Sequence, residues 1–410
     1  MMKHILFLLL LTLPAFSSYT GELVVQVEKV WRIESPNTIK DMTLNGTFLA
    51  LNGFQEAIQM DVTEGAIFEE DGDEIKVVYH ADEFSGVTNI TATALVRTSY
   101  FFSSPSDPPY SEKSLNSSGL VSYNDQIKSA ALSAISGSTK ELEAVASLTD
   151  WVHEYVKYDL AYWGSPAPAN ETYLSRGGVC VGYAHLFIAM ARAAGFETRF
   201  VSGYAFAEEW QPHAWAEVKI DGIWIPVDPT FREFGALDAR HIASSYSNDQ
   251  SGVYDSLVAM GNGFKFNSTV SVRTQETRPF PQQIFAHTVL SDDVLKVVIY
   301  NPTQEYVTPT YNLRFPDYIL PEETRIIVIP PGDSLEFFYD LDTSELDEGY
   351  SHTVPYTLSF QGLLLNDQLV IIKEGEAQEK PASKSSSPCA PAAAILVALL
   401  ICAVAYKVRR

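Results

Sequence analysis

The sequence predicts a multidomain protein in which an α+β core stands between two β-rich domains. Three features lead to this reading. Helical and then antiparallel patterns share residues 123–263, short β-rich runs fill 19–102, and the strand pattern returns over 264–373. With 410 residues, 46% of them apolar, the chain is long enough for several cores.

The N-terminal runs ELVVQVEKVWRI, GTFLALNGF, EAIQMDV, EIKVVYH and ITATALV are separated by Asn, Gly and Asp turns and read as short strands. The acidic turn Asp71-Gly72-Asp73 lacks the spacing of a calcium loop and reads as solvated. Residues 103–122, rich in serine and carrying Pro105, Pro108 and Pro109, read as a linker. Apolar spacing then predicts helices over 126–135 and 139–155, the second with Leu142, Val145, Leu148, Trp151, Val152 and Tyr155 in its stripe.

The chain centres on RGGVCVGYAHLFIAMARAAGF, residues 176–196. Gly177 and Gly178 break what precedes, and Gly195 offers a left-handed stop, so 179–194 reads as one helix. Apart from His185 and Arg192 every position is apolar, small or aromatic, which places the helix inside a larger body. Cys180 lies in its first turn, where unpaired N–H groups and the helix dipole favour a thiolate. Without a base nearby, such a cysteine is a small buried hydrophobe.

His213 and Asp228 are the candidate base and its orienting carboxylate. Strands are expected over 198–206, 213–220 and 223–229, and Asp221-Gly222 is a two-residue type I′ signal that pairs Ile220 with Ile223. In that register Trp215 faces Asp228 and His213 faces Thr230. His213 and Asp228 then share one face as diagonal neighbours, roughly 7–8 Å apart at the backbone. Ala214, Ala216, Val218, Ile220, Ile225 and Val227 alternate onto the other face, and a one-residue slip would both separate the polar pair and mismatch these. Which face the Cys180 helix covers does not follow from the sequence.

These residues resemble the transglutaminase-like superfamily of papain-type fold. The resemblance rests on a cysteine opening a helix after a glycine-rich turn, a histidine opening a strand as HAW, and an aspartate in W-x-P-V-D-P-T on the next strand, within roughly residues 125–245. It implies a Cys180, His213, Asp228 triad that acts on amide bonds of proteins or peptides through a thioester and needs no cofactor. Protease, deamidase and acyl transferase share that intermediate. The calcium sites of the metazoan enzymes have no counterpart. Tyr162, Trp163 and Trp215 are candidates for pocket walls or for an oxyanion donor beside the Cys180 N–H. The alternative is a non-catalytic surface module that binds or adheres.

Among the other histidines, His185 falls on a different helix face from Cys180 and reads as a hydrogen-bonded core residue. His153 and His241 pair with no cysteine or carboxylate at metal spacing, so no metal site is expected.

The ends suggest export. Residues 1–18 read as a signal peptide, with Lys3 and His4 before an apolar run and small residues after it. Residues 264–373 are expected to form an immunoglobulin-like sandwich, 374–388 a polar stalk, 389–406 a single membrane-spanning helix and 407–410 a basic cytoplasmic tail. The body would then be extracellular and held on the cell membrane. Cys389 and Cys402 fall at or in the span, which leaves Cys180 without an intrachain disulfide partner in that body. Sequons at Asn45, Asn89, Asn116, Asn170 and Asn267 make it a candidate glycoprotein. A formal charge of −23 leaves no basic stripe for nucleic acid.

Overall fold

The computed structural model describes residues 20–374, except 102, 105, 114, 165, 166, 282, 361 and 362. The expected signal peptide, the stalk beyond 374, the span 389–406 and the tail 407–410 lie outside the described residues. Among the described residues no helix is long and apolar enough to cross a membrane. All five sequon asparagines are exposed.

The N-terminal part is built on two long strands rather than five short ones. Thr20–Ala50 runs antiparallel along Glu74–Ser99 through most of its length. Register shifts fall between Ser35 and Ile39 and between Thr47 and Leu49. Pro36 sits in the first shift, where a missing N–H costs no ladder bond, and Gly86 opposite has φ +94°. Residues that look like turns therefore bend this ladder without ending it.

The same sheet is completed from far along the chain. Lys265–Pro279 pairs with the first half of Thr20–Ala50 and Ser256–Met260 with the second. The expected boundary at 263/264 thus falls inside a continuous sheet, and residues 256–279 belong with the N-terminal strands. Alternation marks a strand but not its partner.

The segment expected to be a linker is pinned to the core. Ser103–Ser104 pairs with Tyr306–Val307, Asp107 Oδ1 accepts the Leu142 N–H at 2.9 Å, and the Tyr110 hydroxyl donates to the Ala194 carbonyl at 3.0 Å.

Among the described residues the core holds four α-helices: α1 (Asp125–Ala134), α2 (Glu141–Tyr155), α3 (Ala169–Ser175) and α4 (Cys180–Ala193). All of α4 is buried except Val181. Leu186, Phe187, Ile188 and Met190 are fully excluded from solvent, each a gain of about 1.5–3 kcal/mol over exposure. The two polar side chains are satisfied: Arg192 donates to Thr198 Oγ1, the Thr198 carbonyl and Asn248 Oδ1, and His185 bonds the Ala167 carbonyl and the Gln250 N–H. Gly195, at φ +96°, ends the helix with Phe196 N–H on the Ala191 carbonyl at 2.9 Å.

Beside the helices lies a five-stranded antiparallel sheet, in the order Glu233–Phe234, Ile223–Asp228, Trp210–Ile220, Glu197–Phe206, His241–Ser247. Asp221 and Gly222 have φ +49° and +83°, and the pairs run from Ile220 with Ile223 to Ala216 with Val227, in the expected type I′ register. Helix α4 covers the face of Ala214, Ala216, Val218, Ile225 and Val227. The opposite face, with Val201, Trp215 and Ala243, meets Ala50 of the N-terminal sheet. At that junction Arg199 bonds Glu217 at 2.6 Å and Asp73 at 2.8 Å, so the acidic turn serves as a clasp.

The C-terminal part is a three-stranded sheet (Phe285–Ser291, Val294–Tyr300, Ser334–Asp340) and a four-stranded one (Glu323–Ile326, Thr310–Arg314, Ser351–Phe360, Leu363–Ile372). Leu295, Val297 and Ile299 from one sheet and Tyr311, Leu313 and Leu358 from the other share one core.

Candidate active site

Cys180 is the first residue of α4, and local sequence holds it there. Arg176, left-handed at φ +55°, turns the chain out of α3, and Gly177–Gly178 pairs in parallel with Lys157–Tyr158. At Gly182 a Cβ would stand 2.9 Å from Thr172 Oγ1, so the absence of a side chain lets α3 approach the first turn of α4. Val179 caps the helix with no side-chain bond and its carbonyl accepts the Gly182 N–H at 2.8 Å, so the N–H groups of Cys180 and Val181 are the ones that lack an intrahelical partner. Cys180 is 5% exposed and lines a cavity of about 290 Å³ with His213, Trp163, Ser202 and Gln250.

His213 and Asp228 meet as the register requires. His213 Nε2 lies 2.6 Å from Asp228 Oδ2. The ring nitrogen left over is Nδ1, and Cys180 bears on the same imidazole by hydrogen bonding and charge. Burial alone would lower the His213 pKa; the Asp228 carboxylate, and then Cys180, outweigh it and raise it to about 9. Burial would likewise raise that of Asp228, but His213 and His241 hold it well below the usual carboxylate range. Asp228 Oδ1 accepts the N–H groups of Thr230 at 2.8 Å and Phe231 at 3.1 Å.

The loop that follows Asp228 is held by one face of α2. Asp150, His153 and Glu154 fall three and four positions apart and point the same way. His153 Nδ1 lies 3.1 Å from the Pro229 carbonyl, and Arg232 donates to Asp150 Oδ1 and Glu154 Oε1, both at 2.7 Å. Asp150 also accepts the Ile326 N–H, at 3.0 Å to Oδ2, so the C-terminal part is latched at the same point. Phe231, between these anchors, stacks on His213.

The three aromatic candidates separate. Trp163 is 54% exposed and lines the cavity. Tyr162 stands against Gly177, where a Cβ would come within 3.0 Å of its ring. Trp215 is not a pocket wall: it is fully buried, 5.9 Å from the His213 ring and 5.4 Å from that of His241, because it occupies the inner face of the sheet. Tyr158, which no motif flagged, is close enough to Cys180 for its charge to help raise the tyrosine pKa, after burial.

His241 also departs from expectation. It reaches Asp228 Oδ2 with Nε2 at 3.2 Å, and its Nδ1 lies 3.3 Å from the Asp238 carbonyl oxygen. Thirteen residues separate it from Asp228, a spacing with no metal or turn signature, and two strands lie between its own and that of Asp228 in the sheet order, so strand adjacency does not announce the contact either. His213, Asp228 and His241 place one ligand atom each within 4.8 Å of one another. Ligands of a tetrahedral zinc at 2.0–2.1 Å stand roughly 3.3 Å apart, whereas His213 Nε2 and Asp228 Oδ2 are at 2.6 Å, a hydrogen-bond separation.

Residues 128–229 match the family model described as Transglutaminase-like superfamily. This segment is a transglutaminase-like domain. It runs from α1 to the residue after Asp228 and so takes in Cys180 and His213. Among solved structures, a protein from Cytophaga hutchinsonii provisionally assigned as a cysteine protease is 20% identical, with a TM-score of 0.44 over 65% of this chain and 96% of that one. Red sea bream transglutaminase is 9% identical, with a TM-score of 0.21 over 83% and 79%. A provisionally assigned protease from Parabacteroides distasonis is 12% identical, with a TM-score of 0.24 over 87% and 71%. No curated protein matches the chain. Phe231, Arg232 and His241 lie beyond the residues that the family model matches, whereas the α2 side chains that hold the Asp228 loop lie within them.

Proposed function

We propose that the protein is a thiol enzyme that acts on amide bonds of proteins or peptides at the cell surface, as a protease, deamidase or acyl transferase. The observation that carries this is the single imidazole of His213, which engages Asp228 through Nε2 and is also acted on by Cys180 at the edge of one cavity. Cys180 sulfur attacks the amide carbonyl, and the oxyanion forms beside the N–H groups of the α4 first turn. The C–N bond breaks as His213 gives its proton to the leaving amine, and a thioester remains. Water or an amine then attacks the thioester while His213 takes its proton, and the Cys180 sulfur leaves. Asp228 keeps the imidazole oriented through the cycle and stabilises it while it is charged.

Hydrolysis is the default resolution, since water at about 55 M competes with any amine unless the site is dry. The test is to incubate the protein with peptide amides, with and without a primary amine, and to search Cys180 for an acyl adduct by mass spectrometry. The adduct should be absent in Cys180→Ser. A surface-binding module without chemistry would bind peptide with no adduct and no turnover.

A further inference from the structure

Behind Asp228 lies a second imidazole that the proposed cycle does not use. His241 is 2% exposed, at the start of the strand His241–Ser247, and belongs to no part of the cavity wall described above. Its two nitrogens face oxygen acceptors on both sides: Nε2 the Asp228 Oδ2 at 3.2 Å, Nδ1 the Asp238 carbonyl at 3.3 Å and Asp238 Oδ1 at 3.7 Å. A neutral imidazole carries one N–H and would turn a lone pair toward an oxygen. Only the doubly protonated ring satisfies both sides.

The groups packed around His241 come from every neighbouring element. His213 lies on the adjoining face with ring centroids 6.0 Å apart, the Trp215 ring is at 5.4 Å and that of Phe231 at 5.8 Å. Arg240 bonds the Asp238 carboxylate from the other side. Glu233, on the short strand beside that of Asp228, has Oε2 enclosed without a partner, and burial followed by the charge of Asp238 pushes its carboxyl well up, toward the neutral form. Burial would lower the His241 pKa; its bonds to Asp228 and Asp238 outweigh that and raise it, and whatever charge Glu233 keeps acts in the same direction.

We infer that His241 is a positioning residue: a buried imidazolium, held by Asp238, that donates to the same Asp228 oxygen as His213 and so moderates how firmly Asp228 keeps a proton on His213. Two consequences follow. Asp228 accepts four hydrogen bonds, two on each oxygen, which fills its acceptor capacity and fixes its rotamer. The second positive charge, sharing one carboxylate with His213, opposes protonation of the first. His213 is thereby kept from becoming so strong a base that it cannot give its proton to a leaving amine. This role deepens the thiol-enzyme reading and rests on it for its catalytic meaning.

The test reads His213 directly, so it does not depend on activity. Histidine imidazoles labelled with 15N in the full chain are titrated by NMR, in the parent and in His241→Gln, whose amide can still donate to Asp228 but carries no charge. The His213 midpoint is expected to rise by about one pH unit in the variant, a tenfold gain in proton affinity. A purely structural His241 would leave that midpoint in place or lower it, which overturns the inference. If His241→Gln does not fold, the parent decides: at pH 8 both nitrogens of His241 should be protonated, and a bare nitrogen there overturns the assignment. Alkylation of Cys180 in the same samples is the separate readout of the thiol-enzyme reading. Inert Cys180 with a shifted His213 midpoint would reject the enzyme and keep the His241 coupling.

Discussion

Phe231 lies flat against the His213 ring, with centroids 4.8 Å apart and planes 12° from parallel. It is 38% exposed, whereas the His213 side chain beneath it keeps only 8% of its surface, so one surface aromatic shields the imidazole and its bond to Asp228 from water. Removing it should weaken that ion pair by solvation without disturbing the core. Phe231→Ala is expected to lower the Cys180 alkylation rate about three- to tenfold with a nearly unchanged unfolding midpoint. Stopped-flow alkylation and a urea titration on the same sample check both halves; an unchanged rate would mean the stack is incidental.

Stability should fall as pH rises above neutrality. Folded His213, at about 9, and His241, at about 10, hold protons that an unfolded histidine near 6.5 has released. The folded chain therefore binds more protons over that interval, and the unfolding free energy decreases with pH. The contribution is complete below about pH 6.5 and is lost as pH passes through 9 and 10. The urea midpoint should drop between pH 6.5 and 9.5, and the drop should shrink in the double variant His213→Ala, His241→Gln. A midpoint that is flat or rising over that range would contradict two buried imidazoliums.

Gly203 lies close against the neighbouring strand His241–Ser247. A Cβ there would meet the Ile242 carbonyl oxygen at 2.0 Å and the Trp215 ring at 2.8 Å, and the obstacle is partly backbone. Gly203→Ala is thus expected to cost about 1–3 kcal/mol, and to move Trp215 against His213. Equilibrium denaturation measures the first effect and Cys180 alkylation the second; a loss below about 0.5 kcal/mol would mean the sheet yields at little cost.

Much of the site was legible because it depends on local rules. Glycine punctuation placed Cys180 at a helix start, and the Asp221-Gly222 turn fixed a register that brings His213 to Asp228. What escaped depends on contacts between distant segments. His241 reaches Asp228 from a strand with two others between them in the sheet order, a contact that no local pattern marks. Arg232 matters through α2 and through Thr324, 92 residues on. Pro36 and its neighbours look like a turn inside a strand that continues past them, and alternation at 256–279 marks strands without naming their N-terminal partner. The pattern puts Trp215 on the His213 face, but does not say that this face is covered by Ala50 of the N-terminal sheet.

The most direct measurement is the alkylation rate of Cys180 at pH 6.5 in the native protein, in His213→Ala, and in the urea-unfolded parent. If His213 activates Cys180, the native protein should react at least about tenfold faster than the unfolded chain, and His213→Ala should lose that advantage while remaining folded. Equal rates in native protein and variant, at or below the unfolded value, would show Cys180 to be an ordinary buried thiol and would remove the enzyme reading.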